Sequence, residues 1–162
     1  MQTGLSWQGE TPADLGESFE QLPSALESEL AEAANDIRFR IERKATENAP
    51  VGATGNLQTS IGSFVETVGP TLVRIRVGSS ANYATPVEEG TDPHFPPPSE
   101  LRAWARSTLG DESAAYPVAR SIAANGTDAQ PFLEPAFEDT LDYAMTRIND
   151  AVTDAFAEVG LK

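Results

Sequence analysis

Apolar residues recur every three or four positions through Leu22, Leu26, Leu30, Ala33, Ile37, Ile41 and Ala45. That spacing predicts one long amphipathic helix, with Pro23 in its first turn and Ala49-Pro50-Val51-Gly52 as its stop. Glu27, Glu29, Glu32 and Asp36 fill its first half, and Arg38, Arg40, Arg43 and Lys44 its second. The order complements the helix dipole, and Asp36–Arg40 and Arg43–Glu47 have the spacing of ion pairs one turn apart. The basic cluster could also meet phosphate, but the local terms account for it more simply. A Gly-rich turn follows, with Thr54 placed to cap a single helical turn. The period then changes to two. "SFVETVGPTLVRIRVGS" alternates and predicts a hairpin turning at Gly69-Pro70. Pairing Thr67 with Leu72 puts Phe64, Val68, Val73, Ile75 and Val77 on a core face, with Glu66 as its misfit. Ser63, Val65, Thr67, Arg74 and Arg76 then share the other face.

Beyond the hairpin, "ANYATPVEEGT" reads as a short strand or a helical turn ending at Gly90. The run Pro96-Pro97-Pro98 is not expected in a helix. Ser99 is a suitable N-cap and Gly110 a suitable stop for a helix burying Leu101, Trp104 and Leu109. A second short helix carries Tyr116, Val118 and Ile122, with Pro117 near its start. After Pro135 the residues Phe137, Leu141, Met145, Ile148, Val152, Phe156 and Val159 form the stripe of a long final helix. At the α-helical rise, the first and last helices would each be about 35 Å long. The fold class expected is α+β: a small antiparallel sheet braced by long N- and C-terminal helices.

The phrase Gly-Thr-Asp occurs at 90–92 and again at 126–128, each time followed closely by proline and phenylalanine. The residues between form a self-contained helical pair. Residues 92–127 therefore read as a helical insertion within one domain spanning 1–162, although ordinary turn chemistry could also use the phrase twice.

The 162 residues suffice for one domain with its own core. There is no cysteine, which removes disulfides, zinc–thiolate sites and cysteine nucleophiles from consideration. The first residues have neither the basic nor the apolar region of a signal peptide, and no apolar run has the length of a membrane span. Charge changes the picture most: Lys plus Arg number 11 against 25 acidic residues, a formal net charge of −14. Such a surface repels nucleic acid and anionic membranes, so neither specific nucleic-acid binding nor membrane binding is expected. It also suits a protein working in concentrated salt, where at ~1 M the Debye length falls to about 3 Å. An ordinary acidic protein kept soluble by its charge is the alternative.

Candidate chemistry is sparse. His94 is the only histidine and has no triad partner in view. Glu88 and Glu89 with His94 match no common metal-ligand spacing. Ser60, Ser79, Ser80 and Ser99 lack the context of an activated nucleophile. Asn125-Gly126-Thr127 has the pattern of a glycosylation sequon, which matters only after secretion. No catalytic residue, metal site or cofactor is expected.

Ala49-Pro50-Val51, Thr54-Gly55-Asn56-Leu57 and Ile61 come in a fixed order with Tyr83-Ala84, Val87-Glu88 and Gly90-Thr91. Gly126-Thr127 then precedes Pro131-Phe132-Leu133 and Pro135-Ala136. Over residues 22–159 this order resembles the tail-completion, or minor tail component, family of long-tailed phages and archaeal tailed viruses. The resemblance implies a structural virion protein rather than an enzyme. It would sit at the neck and complete the tail as a homo-oligomeric ring of six. Its implied partners are the head–tail connector or closure protein and the tail terminator or tail tube protein. With the acidic surface, the resemblance points to a virus of a salt-loving, archaeal host. Arg74 and Arg76 are candidate inter-subunit contacts, with local pairing as the equal alternative. Another neck role, as tail terminator or head-closure protein, and a small hydrolase using Glu88 and His94 are the rival readings.

Overall fold

The structure, a computed structural model, describes residues 11–52, 55–69 and 72–161, with the side chains of Pro12, Thr67 and Val68 left aside. It is about two-thirds helical with one two-stranded antiparallel sheet, so the α+β class holds. The elements are α1 (Pro12–Asn48), α2 (Asn56–Ser60), β1 (Ile61–Gly69), β2 (Leu72–Ser79), α3 (Ala84–Glu89) and α4 (Pro98–Leu109). A 3₁₀ turn over Glu112–Ala114 leads to α5 (Ala115–Asn125), α6 (Leu133–Glu138) and α7 (Leu141–Glu158). The chain divides into two compact units. One holds the described parts of 1–38, 64–76 and 142–162, the other 39–63 and 77–141.

The first helix starts eleven residues before Pro23, because a capping box sits there. The Thr11 N–H donates to Asp14 Oδ2 at 2.8 Å, and the Asp14 N–H donates to Thr11 Oγ1 at 3.3 Å. The Thr11 hydroxyl, which also donates to Asp14 Oδ2, and the Thr11 N–H together hold the Asp14 carboxyl below its ordinary pKa. Pro12 opens the helix where a missing N–H costs nothing. Pro23 lies inside α1, exposed, and leaves one carbonyl of the ladder without its usual donor. The 37 residues of α1 span about 55 Å at the α-helical rise, rather than the 35 Å expected.

The C-terminal segment is not one helix. Thr140 is buried, and its hydroxyl takes the Ala136 carbonyl at 2.7 Å while its N–H turns to the Phe137 carbonyl at 3.0 Å. That exchange breaks the regular ladder and separates α6 from α7. The 18 residues of α7 extend about 27 Å.

In the first unit, Ala25 packs with Ala155 and Val159, flanked by Leu22, Leu26 and Leu161. The Arg147 guanidinium donates to Asp36 at 2.8 and 3.0 Å, which raises the pKa of Arg147. Asp36 thus reaches across to α7 in addition to its place one turn before Arg40. The expected Arg43–Glu47 pair is present, at 3.9 Å and exposed.

The sheet register differs from the sequence expectation by one residue on β1. Phe64, Glu66, Leu72, Arg74 and Arg76 are exposed, whereas Val65, Val73, Ile75 and Val77 are half-buried. The parity on β2 is as expected; on β1 it is reversed, with Val65 inside and Phe64 outside. Glu66 is consequently no misfit but the partner of both arginines.

In the second unit the two Gly-Thr-Asp phrases pair with each other. Thr91 and Thr127 form an antiparallel bridge, with reciprocal N–H···O bonds of 3.0 and 3.1 Å and hydroxyls 3.0 Å apart. Gly90 and Gly126 both have φ near +75°. A Cβ on Gly90 would lie 2.6 Å from the Thr127 carbonyl oxygen. The repeat is therefore the base of a closed loop, and glycine is required at each corner because backbone approaches backbone. Within that loop, α4 begins at Pro98 rather than Ser99, a first-turn position that suits proline. Leu109 and Tyr116 are exposed, and the fully buried positions are Ala105, Ala115 and Ala119.

Candidate assembly surfaces

Among the described residues, the hairpin and the part of α7 from Asp142 onward present exposed surfaces in the first unit, and a clasp in the second gives Glu88 its role. On the hairpin, the Arg74 guanidinium donates to Glu66 Oε2 at 3.1 Å, and Arg76 lies 3.7 Å from the same oxygen. The Arg76 guanidinium also stands 6.0 Å from the Phe64 ring centre, at the edge of cation–π range. Both arginines therefore pair locally, in solvent, where such pairs contribute little to stability. Around them Phe64 is 56% and Leu72 is 52% exposed. The face is thus basic and apolar together, and the sequence had assigned only its two arginines.

The second surface lies on α7. Much of the expected stripe points outward: Met145 is 60% exposed and Ile148 and Phe156 are also open, Val152 is half-buried, and only Val159 at its end is buried. Buried most deeply are two alanines outside the stripe, Ala151 and Ala155. The physical reason is helix approach. Alanines let two helix backbones come close and bury nearly their whole side chains, as at the Ala25–Ala155 contact. The row Ala144, Ala151 and Ala155 was visible in the sequence and was the signal to follow.

Glu88 belongs to the clasp. Its carboxylate accepts the N–H groups of Phe132 at 2.8 Å, Leu133 at 3.0 Å and Glu134 at 2.9 Å, the start of α6. Burial pushes this carboxyl up, but the three backbone donors together outweigh it and hold it below its ordinary value. The Gln130 N–H bonds the Val87 carbonyl at 2.8 Å, and Asn48 reaches the Phe132 carbonyl at 3.5 Å. Phe132 is fully buried beneath this network. Both oxygens of Glu88 are thus committed to capping. His94 is exposed, with Nδ1 2.9 Å from the Asp92 carbonyl. Among the described residues no group of three or more His, Asp or Glu is placed to hold a metal ion. An open polar hollow is lined by Asn56, Thr59, Ser60, Ser80, Asn82 and Tyr83. Of its lining hydroxyls, that of Ser60 lies 2.7 Å from the Ser79 hydroxyl, and no described histidine, aspartate or glutamate lines the hollow.

A long helix, an open hairpin and exposed apolar side chains on α7 are the features this chain presents to its surroundings. Residues 13–90, just under half of the chain, match the model of the HK97-gp10_like family, described as "Bacteriophage HK97-gp10, putative tail-component". The match covers nearly all of α1 together with α2, the hairpin and α3, so this part of the chain is similar to that family of putative phage tail components. No significant match exists among curated proteins or solved structures.

Proposed function

We propose that the protein completes the tail of a tailed virus at its neck. There it joins the head–tail connector as a homo-oligomeric ring of six. The observation that carries this reading is the family match over residues 13–90, which contains the hairpin and most of α1. The hairpin supports it physically: a two-stranded sheet has two open edges and an outer face available to neighbours. Arg74 and Arg76 are the proposed inter-subunit contacts, with Glu66 pairing to both within the chain. The remaining partners are a closure protein on the head side and a terminator or tube protein on the tail side.

The acidic surface supports a salt-loving, archaeal host. A ring of six multiplies the formal charge of −14 per chain sixfold. At 0.01 M salt the repulsion acts over about 30 Å, the scale of a subunit, and in molar salt only at contact. Light scattering of the purified protein should show weak or no assembly in dilute buffer and a ring as sodium chloride approaches molar levels. Location is tested by gold-labelled antibody on virions in electron micrographs. Label at the neck is the expected result; label along the tube or on the head overturns the placement. Tail terminator or head closure is the second reading of the same match, and co-purification with isolated tails or with filled heads separates the two. A hydrolase using Glu88 and His94 is disfavoured, since Glu88 is occupied by three backbone donors.

A further inference from the structure

We propose that the outer face of the hairpin in one copy docks on the apolar stripe of α7 in the next, an inference that rests on the ring reading above. The hairpin side offers Phe64 and Leu72 with Arg74 and Arg76. The α7 side offers Met145, Ile148 and Phe156, with Val152 half-buried between them and Asp142 on the flank.

Three observations select a second copy as the occupant. The first is charge. On α7 the exposed carboxylate of Asp142 flanks the stripe, whereas the hairpin face carries two arginines against one glutamate. Joining hairpin to helix brings the two arginines to Asp142, whereas joining α7 to α7 brings Asp142 towards its own copy. The second is length: Leu72 to Arg76 covers about 13 Å of strand, and Met145 to Phe156 about 17 Å of helix. The third is symmetry. The patches differ, so pairing one with the other is heterologous, and a heterologous contact that closes makes a ring rather than a two-fold dimer. The outward large residues of α7 and the outward Phe64 then have one common explanation.

The chain has no cysteine, so single substitutions report contacts cleanly. Leu72→Cys and Met145→Cys variants of the full chain would be assembled in molar sodium chloride, alone and as a mixture, then cross-linked with a short bis-maleimide. The expected result is covalent dimer in the mixture and little in either variant alone. An assembled species with no mixed cross-link overturns the docking and leaves the ring standing. Cross-linking of Leu72→Cys with itself overturns it in favour of hairpin-to-hairpin pairing. A monomer at every salt concentration overturns the docking and the self-assembled ring together. As a second measurement, Met145→Asp should raise the protein concentration needed for assembly at least tenfold. Because the side chain is already exposed, the circular dichroism of its monomer should match that of wild type. Unchanged assembly by this variant overturns the proposal.

Discussion

Glu88 offers the sharpest test of how the second unit is held. Replacing it with alanine strands three N–H groups at the start of α6. Those of Phe132 and Leu133 are partly buried, whereas Glu134 is exposed and its N–H can turn to water. Two stranded donors at about 1 kcal/mol each give a loss of about 2 kcal/mol. Solvent screening of the half-exposed carboxylate keeps the figure below the upper range for charged hydrogen bonds. In a chain of this size that lowers Tm by roughly 4–8 °C. Glu88→Gln keeps one acceptor oxygen and should lose about half as much. Because the folded carboxyl is held below its ordinary 4.5, its contribution is complete at neutral pH. It is lost as pH falls from that value through the folded one. Urea denaturation followed by circular dichroism, at constant ionic strength, would compare wild type with both variants. The gap between wild type and Glu88→Ala should be full at pH 7 and shrink as the pH is lowered past the ordinary value of 4.5. A gap below about 0.5 kcal/mol at pH 7, or one that ignores pH, would refute the capping role.

Three further outcomes follow from the geometry. Gly90→Ala and Gly126→Ala should each cost about 2–4 kcal/mol by thermal melts, since each adds a clash to an unfavourable φ; a loss under 1 kcal/mol would dismiss the paired corners. Replacing residues 92–126 with Asn-Gly joins Thr91 to Thr127 through a two-residue turn, and should leave α1 and α7 helical if the segment is an insertion. Loss of far-UV signal beyond the deleted helices would count against that organisation. On the hairpin, Val65→Asp and Ile75→Asp should each cost about 2 kcal/mol while Phe64→Asp and Arg76→Ala stay within about 0.5 kcal/mol; the reverse order would return the register to Phe64 inside.

Periodicity alone determined that long helices flank a hairpin, and composition alone determined an acidic chain without thiol chemistry. Local rules found the Gly110 stop and the helical pair between the two Gly-Thr-Asp phrases. The capping box at Thr11 was equally local and legible, but Pro23 drew attention away from it. What tertiary structure decided was facing. A stripe of Leu, Met, Ile and Phe at helical spacing states that one side of α7 is apolar, not that this side is covered by its own chain. The neighbouring alanine row won the intramolecular contact because small side chains permit close helix approach, leaving the large residues for something else. The same holds in the hairpin, where alternation fixes two faces but a one-residue choice on β1 exchanges them. Only the Arg74–Glu66–Arg76 cluster settled that choice. Likewise, no spacing rule links Glu88 to residues 132–134, because a carboxylate meets backbone donors over forty positions away only when the loop between has been closed by the Thr91–Thr127 bridge.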